Sequence, residues 1–140
     1  DMPPEEAEGP TKILRDAGID NIFLLAPTTS DARIEKIASL ASGYLYCVSL
    51  KGVTGAGHLD VKAVSEKLDS IKRYTDLPVT VGFGIKDGAS AAALAPFCAG
   101  VVVGSALIES IVATNATMSA TDRVVAAATL IGDIRTALDA

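Results

Sequence analysis

Four short apolar runs constrain this chain more than any other feature: Asn21–Ala26, Tyr44–Ser49, Leu77–Val81 and Val101–Val103. They are continuous and rich in β-branched residues, without a regular polar/apolar alternation. A strand solvated on one face alternates, whereas a continuous run belongs to a strand covered on both faces, as in a parallel sheet under helices. Helical spacing fills the gaps. Ile13, Leu14 and Ala17 mark a short helix ended by Gly18; Ile34, Ile37 and Leu40 mark a second, capped among Thr28, Thr29 and Ser30 and ended at Gly43. Val61, Val64, Leu68 and Ile71 share one helix face. Ala89–Ala95 and Ala106–Val112 predict two short helices, and Val124, Ala128, Ile131, Ile134 and Leu138 a long final one. The order is α-β-α-β-α-β-α-β-α-α.

Residues 1–140 are therefore read as a single α/β domain of four parallel βα units. That is half of a (β/α)₈ TIM barrel, which takes about 250 residues when complete. Four strands alone leave two apolar sheet edges unpaired. Either a second half exists elsewhere or the strands form a small open sheet. The start at Asp1, followed by two prolines and an acidic turn, reads as a loop entering a helix in something longer.

Two strand ends carry glycine turns. Gly82-Phe83-Gly84 closes the third run and Gly104-Ser105 the fourth. A strand that stops at glycine and turns into a helix presents free backbone N–H groups at the positive end of the helix dipole, a geometry that holds phosphate. Two such ends on consecutive units match the phosphate site formed after strands seven and eight of an eight-stranded barrel. Gly84 and Gly104 would leave room for phosphate oxygens, while the N–H groups and the Ser105 hydroxyl donate; glycines set only by turn geometry are the alternative. The loop Lys51–Gly57, with glycines at 52, 55 and 57, is a candidate lid or a plain flexible connection, and it lacks the Gly-Lys-Ser/Thr of a Walker-type loop. In it, Thr54 could hydrogen-bond a ligand or a catalytic carboxylate. Tyr44 and Tyr46 share one strand face; if that face points into a barrel, the Tyr46 hydroxyl needs a polar partner there.

The remaining chemistry is narrow. Twelve Lys and Arg against seventeen Asp and Glu give a net charge of −5, which leaves no basic patch for nucleic acid. No apolar run reaches the roughly 18 residues that span a bilayer. The opening Asp1-Met2-Pro3-Pro4-Glu5-Glu6 is acidic where a secretory signal is basic. Cys47 and Cys98, both in apolar surroundings and without a CxxC partner, read as reduced thiols of a cytoplasmic protein. His58 is the only histidine, so neither a metal cluster nor a Ser/His/Asp or Cys/His set is expected. Asp20, Asp60 and Asp87 fit helix starts or turns. The residues describe a ligand cradle without an acid or base.

Taken in order, these segments resemble the α chain of tryptophan synthase. Asp1-Met2-Pro3-Pro4-Glu5-Glu6 is similar to the segment after that family's fourth strand, and Ile22–Thr28 to its fifth strand. Gly43–Ser49 with Gly52-Val53-Thr54-Gly55 resembles the sixth strand and its mobile loop. Gly82-Phe83-Gly84-Ile85 and Gly104-Ser105-Ala106 resemble the ends of strands seven and eight. The resemblance covers nearly the whole chain and implies the C-terminal half of a TIM barrel, strands five to eight with flanking helices. The implied activity is that of a cofactor-free lyase in tryptophan biosynthesis: retro-aldol cleavage of indole-3-glycerol phosphate to indole and glyceraldehyde 3-phosphate, with indole passed to a β chain. The resemblance further implies that Gly55, Gly84, Gly104 and Ser105 hold the phosphate. By the same resemblance Tyr46 lies near the indole, Thr54 orders the loop, and Phe83 and Val102 line the pocket. The family's general acid and base, a Glu and an Asp, belong to its second strand and the loop after it, in the half this chain lacks. The isolated chain is therefore expected to bind phosphate weakly and not to catalyse.

Two other readings stay open on the residues alone. One is a different phosphosugar-binding TIM barrel, an epimerase or isomerase; the other is a non-catalytic phosphate-binding half-barrel that pairs with itself.

Overall fold

The structure is a computed structural model that describes residues 2–49, 60–82, 84–113 and 118–140. The elements run in the expected order: α1 (Glu8–Asp16), β1 (Phe23–Leu25), α2 (Asp31–Leu40), β2 (Leu45–Val48), α3 (Val61–Lys72), β3 (Val79–Gly82), α4 (Gly88–Ala92), β4 (Gly100–Val102), α5 (Ser105–Ala113) and α6 (Ala120–Leu138). The four strands form one parallel sheet in the order β1-β2-β3-β4. The register sets Leu24 beside Tyr46, Tyr46 beside Thr80, Thr80 beside Gly100, and Gly82 beside Val102.

Local chemistry explains where the helices begin. At α3 the Asp60 carboxylate accepts from the Ala63 amide at 3.0 Å, and Val64, Leu68 and Ile71 then fall on one buried face. Asp87 and Ser90 form a reciprocal cap on α4, as Ser119 and Asp122 do on α6. Ser30 precedes α2, but its side chain makes no cap; the Thr29 hydroxyl instead accepts from the Ala26 amide at 2.9 Å, tightening the turn between β1 and α2. Gly88 fits close packing of α4 on α6, where a Cβ would stand 3.0 Å from that of Ala137.

The core lies on one side of the sheet. Phe23, Leu25, Leu45, Cys47, Val79 and Val81 point toward the helices and pack with Ile34, Ile37, Val64, Leu68 and Ile71. Leu25, Leu45, Leu68 and Ile71 are fully buried. Removing each such side chain from water contributes about 2 kcal/mol.

The opposite side corrects the sequence reading. The strands were expected to be covered on both faces, yet Leu24 is 44% and Val102 38% exposed. Both lie on the face away from the helices, together with Tyr46, Thr80 and Gly82 by the register. Among the described residues nothing covers this face at Leu24 and Val102, so residues apolar enough for a two-sided interior meet solvent there. The final helix shows the same mismatch: of its five periodic apolar residues only Ile134 is buried, with Val124 at 68% and Ile131 at 41% exposure.

Candidate functional site

Parallel strands all end on the same edge of a sheet, and that edge gathers the candidate residues. β3 and β4 are neighbours in register, Gly82 beside Val102, so the segments that leave them start side by side. Two residues past the β3 partner lies Gly84, solvent-exposed and in the left-handed region at φ 77, where a side chain would be strained. Two residues past Val102 lies Gly104, also exposed and with open space where a Cβ would stand. Ser105 opens α5. The Gly104 carbonyl accepts from the Leu107 amide at 3.0 Å and the Ile108 amide at 3.2 Å, which fixes the first turn of that helix. The N–H groups ahead of those two have no carbonyl to meet within the helix and lie at the positive end of its dipole.

Tyr46 rises from the middle of β2 on the uncovered face, half-buried. Its ring crosses to β3 and lies over Gly82. A Cβ on Gly82 would stand 2.5 Å from Cζ and 2.6 Å from Cε2 of Tyr46, closer than side chains approach. Gly82 was not singled out from the sequence beyond its place in a turn. The structure shows that it is needed as a flat seat for an aromatic ring 36 positions away, and residue spacing carries no sign of that. Partial burial, with smaller contributions from Cys47 and Tyr44, pushes the Tyr46 phenol above its ordinary value, so the group is a neutral hydrogen-bonding hydroxyl near neutral pH. Tyr44 shares the face and is 39% exposed.

The ends of β2 and β3 are tied together. Ser49 donates from its hydroxyl to the Gly82 carbonyl at 2.6 Å and from its amide to the same oxygen at 3.0 Å. Thr80, also on the uncovered face, donates to the Leu45 carbonyl at 3.2 Å. These bonds hold the strand carrying Tyr46 against the strand that leads to Gly84.

The register sets Tyr46, Gly82 and Val102 on one face, and Gly84, Gly104 and Ser105 follow the adjacent ends of β3 and β4. Thr54, Gly55 and Phe83, with His58 and the rest of the loop after β2, lie outside the described residues. Among the described residues no group of three or more His, Cys, Asp or Glu could hold a metal ion, and no helix is long and apolar enough to cross a membrane. Cys47 is buried and Cys98 half-buried, both as free thiols. Burial pushes Cys47 up to about 11, which makes it a packing residue and not a nucleophile. Asp60 and Asp87 cap helices, as their positions predicted.

This arrangement was compared with known proteins. The family model described as tryptophan synthase alpha chain matches residues 1–136. Among curated relatives, the tryptophan synthase alpha chain of Thioalkalivibrio sulfidiphilus is 51% identical over 139 residues, covering 99% of this chain and 52% of the relative. That of Methylococcus capsulatus is 56% identical over 115 residues, covering 82% and 43% respectively. Among solved structures, tryptophan synthase subunit alpha from Legionella pneumophila superposes with a TM-score of 0.81 at 37% identity, over 99% of this chain and 50% of the other. The aminoacrylate-bound tryptophan synthase of Mycobacterium tuberculosis gives 0.78 at 27% identity, covering 99% and 48%. The chain spans about half the length of the curated relatives it matches.

Proposed function

The chain belongs to the tryptophan synthase alpha chain family, and from that premise we propose that it forms the phosphate-holding half of a barrel that cleaves indole-3-glycerol phosphate. The reaction breaks the carbon–carbon bond between the indole ring and the glycerol phosphate chain, releasing indole and glyceraldehyde 3-phosphate. In this reading the phosphate sits between the turn at Gly84 and the start of α5, held by backbone N–H groups near Gly104 and by the Ser105 hydroxyl. Neither turn bears a side chain that would fill the space. Tyr46 and Val102 flank the indole, with the neutral Tyr46 phenol free to donate a hydrogen bond. Thr54 and Gly55 belong to the loop that covers the substrate, and Phe83 to the pocket wall.

The proton transfers fall to a Glu and an Asp in the complementary half. The described residues on this edge bind and orient, and none is a carboxylate placed to exchange a proton. We accordingly propose that the 140-residue chain is inactive alone, and that a tryptophan synthase beta chain receives the indole from the assembled barrel. The reading extends to a single domain and to a cytoplasmic, cofactor-free enzyme.

One observation carries this reading: β3 and β4 are adjacent and parallel, so two glycine-opened turns leave the sheet together beside Tyr46. Its test is glycerol 3-phosphate binding followed by amide chemical shifts. Shifts confined to the turn at Gly84 and the first turn of α5 are expected, and Gly104→Asp, which puts a carboxylate where the phosphate would lie, should abolish them. Shifts elsewhere, or binding that survives Gly104→Asp, refute the cradle. Aldol cleavage by the isolated chain would refute the division of labour.

A further inference from the structure

We infer, resting on the phosphate reading proposed above, that Ser49 is a positioning residue: its hydroxyl fixes how the chain leaves β3 and so where Gly84 stands. The exit from β3 is weakly determined by its own residues. Gly82 and Gly84 are both glycines, and no other residue leaves the backbone as free. At Gly82 that freedom has a cause, since the Tyr46 ring lies over it and leaves no room for a Cβ. A turn that must present fixed N–H groups to an anion therefore begins at a residue with no side chain to hold it. Precision at such a place has to come from a supporting neighbour.

Ser49 is that neighbour. It follows β2, is buried, and turns both of its donors onto one acceptor: the amide reaches the Gly82 carbonyl at 3.0 Å and the hydroxyl reaches it at 2.6 Å. The amide bond continues the ladder in which Val48 pairs with Gly82. The hydroxyl bond is additional to the ladder and takes up the second lone pair of the same oxygen. With both donors coming from β2, the last carbonyl of β3 cannot turn without breaking two bonds. The far side of the turn is held by other means, because Ile85 is buried in the core. Gly84, exposed and at φ 77, thus hangs between a hydrogen-bonded anchor at 82 and a packed anchor at 85. Strand pairing supplies half of the first anchor and the Ser49 hydroxyl the rest. Its effect reaches the phosphate through the Gly82 carbonyl. Ser49→Ala keeps the amide bond and leaves the Gly82 oxygen partnered, so the sheet still forms and only the additional restraint is lost.

The test is steady-state cleavage of indole-3-glycerol phosphate by the complete barrel, both halves present, with glycerol 3-phosphate and indole as separate inhibitors. Loss of one buried hydrogen bond that orients the phosphate turn should raise KM in Ser49→Ala by about three- to tenfold. The inhibition constant of glycerol 3-phosphate should rise by the same factor. The phosphate lies away from the breaking bond, so kcat and inhibition by indole should stay within about twofold of the parent. Ser49→Thr keeps the hydroxyl and should restore the parent values. Should the alanine variant not fold, Ser49→Cys carries the test with a weaker donor, and its KM should lie between those of the parent and a tenfold rise, on the order of threefold. An unchanged KM and glycerol 3-phosphate constant in the alanine or cysteine variant overturns the inference alone. So does an equal loss of kcat and indole binding, which marks a merely structural role, or a threonine variant as impaired as the alanine one. A parent barrel that glycerol 3-phosphate does not inhibit overturns the phosphate reading itself, and this inference with it.

Discussion

Adding one methyl group at Gly82 isolates the contact that shapes the candidate pocket. The new Cβ in Gly82→Ala would fall on the Tyr46 hydroxyl, 2.5 Å from Cζ and 2.6 Å from Cε2. Backbone on that strand cannot retreat, because the Gly82 carbonyl is held by both donors of Ser49 and the strand is paired on two sides. The ring must therefore move. Overpacking of this kind costs about 1–3 kcal/mol. The lower end applies to the isolated chain, whose uncovered face lets Tyr46 swing toward solvent; the upper end applies when that face is covered. Tyr46→Phe removes the hydroxyl but keeps Cζ in the way, so it should relieve only part of the strain. Tyr46→Leu removes the ring, and the pair Gly82→Ala/Tyr46→Leu should be less destabilised than the two single changes added together, by about 1 kcal/mol or more. Urea unfolding followed by circular dichroism measures all four proteins. A Gly82→Ala chain within 0.3 kcal/mol of the parent, or strictly additive double-variant energies, would refute the argument.

Three further outcomes follow from titrating groups. Cys47 should resist a thiol reagent in the folded chain at pH 8 while Cys98, half-buried, reacts first; equal rates would show that β2 is not covered by its helices. Because burial raises the Cys47 thiol to about 11, the unfolded chain loses that proton first as pH rises. Stability is then unaffected below the ordinary thiol range and falls between there and pH 11, by about 3 kcal/mol at most, and Cys47→Ala should remove that slope. Asp87 behaves in the opposite sense: hydrogen bonds from Ser90 hold its carboxyl below the ordinary aspartate value. The cap on α4 is present above that ordinary value and is lost as pH falls through the lowered one. The Ser90 amide shift should therefore titrate below the range of a free aspartate, and a midpoint at or above that range would count against the cap.

What the sequence revealed and what it hid divide along the two faces of the sheet. Phe23 and Leu25, Leu45 and Cys47, Val79 and Val81 were legible as strands because each faces helices whose own stripes, such as Val64, Leu68 and Ile71, lie within the same chain. Asp60 and Asp87 were legible because capping is local, decided within three residues. Leu24 was read as part of a strand covered on both faces and is 44% exposed; Val102 was read so too, though also as a pocket wall. Their chemistry suits a covered face, and a periodicity argument has no means of knowing that the described residues supply no cover there. The same holds for Val124 and Ile131, whose spacing announces a helix correctly and a burial that the chain itself does not supply. Gly82 stayed hidden because its requirement comes from Tyr46, a neighbour only once β2 and β3 have paired.

That division bears on what each face of the sheet does. The helix-facing side of the sheet carries the buried core of the described residues. The opposite side carries Tyr46, Gly82 and Val102. Folding energy and the candidate ligand site thus draw on opposite faces of the same three strands. A substitution on the helix side, at Leu68 for instance, acts on whether the chain folds. One on the opposite side acts on what the folded chain can hold.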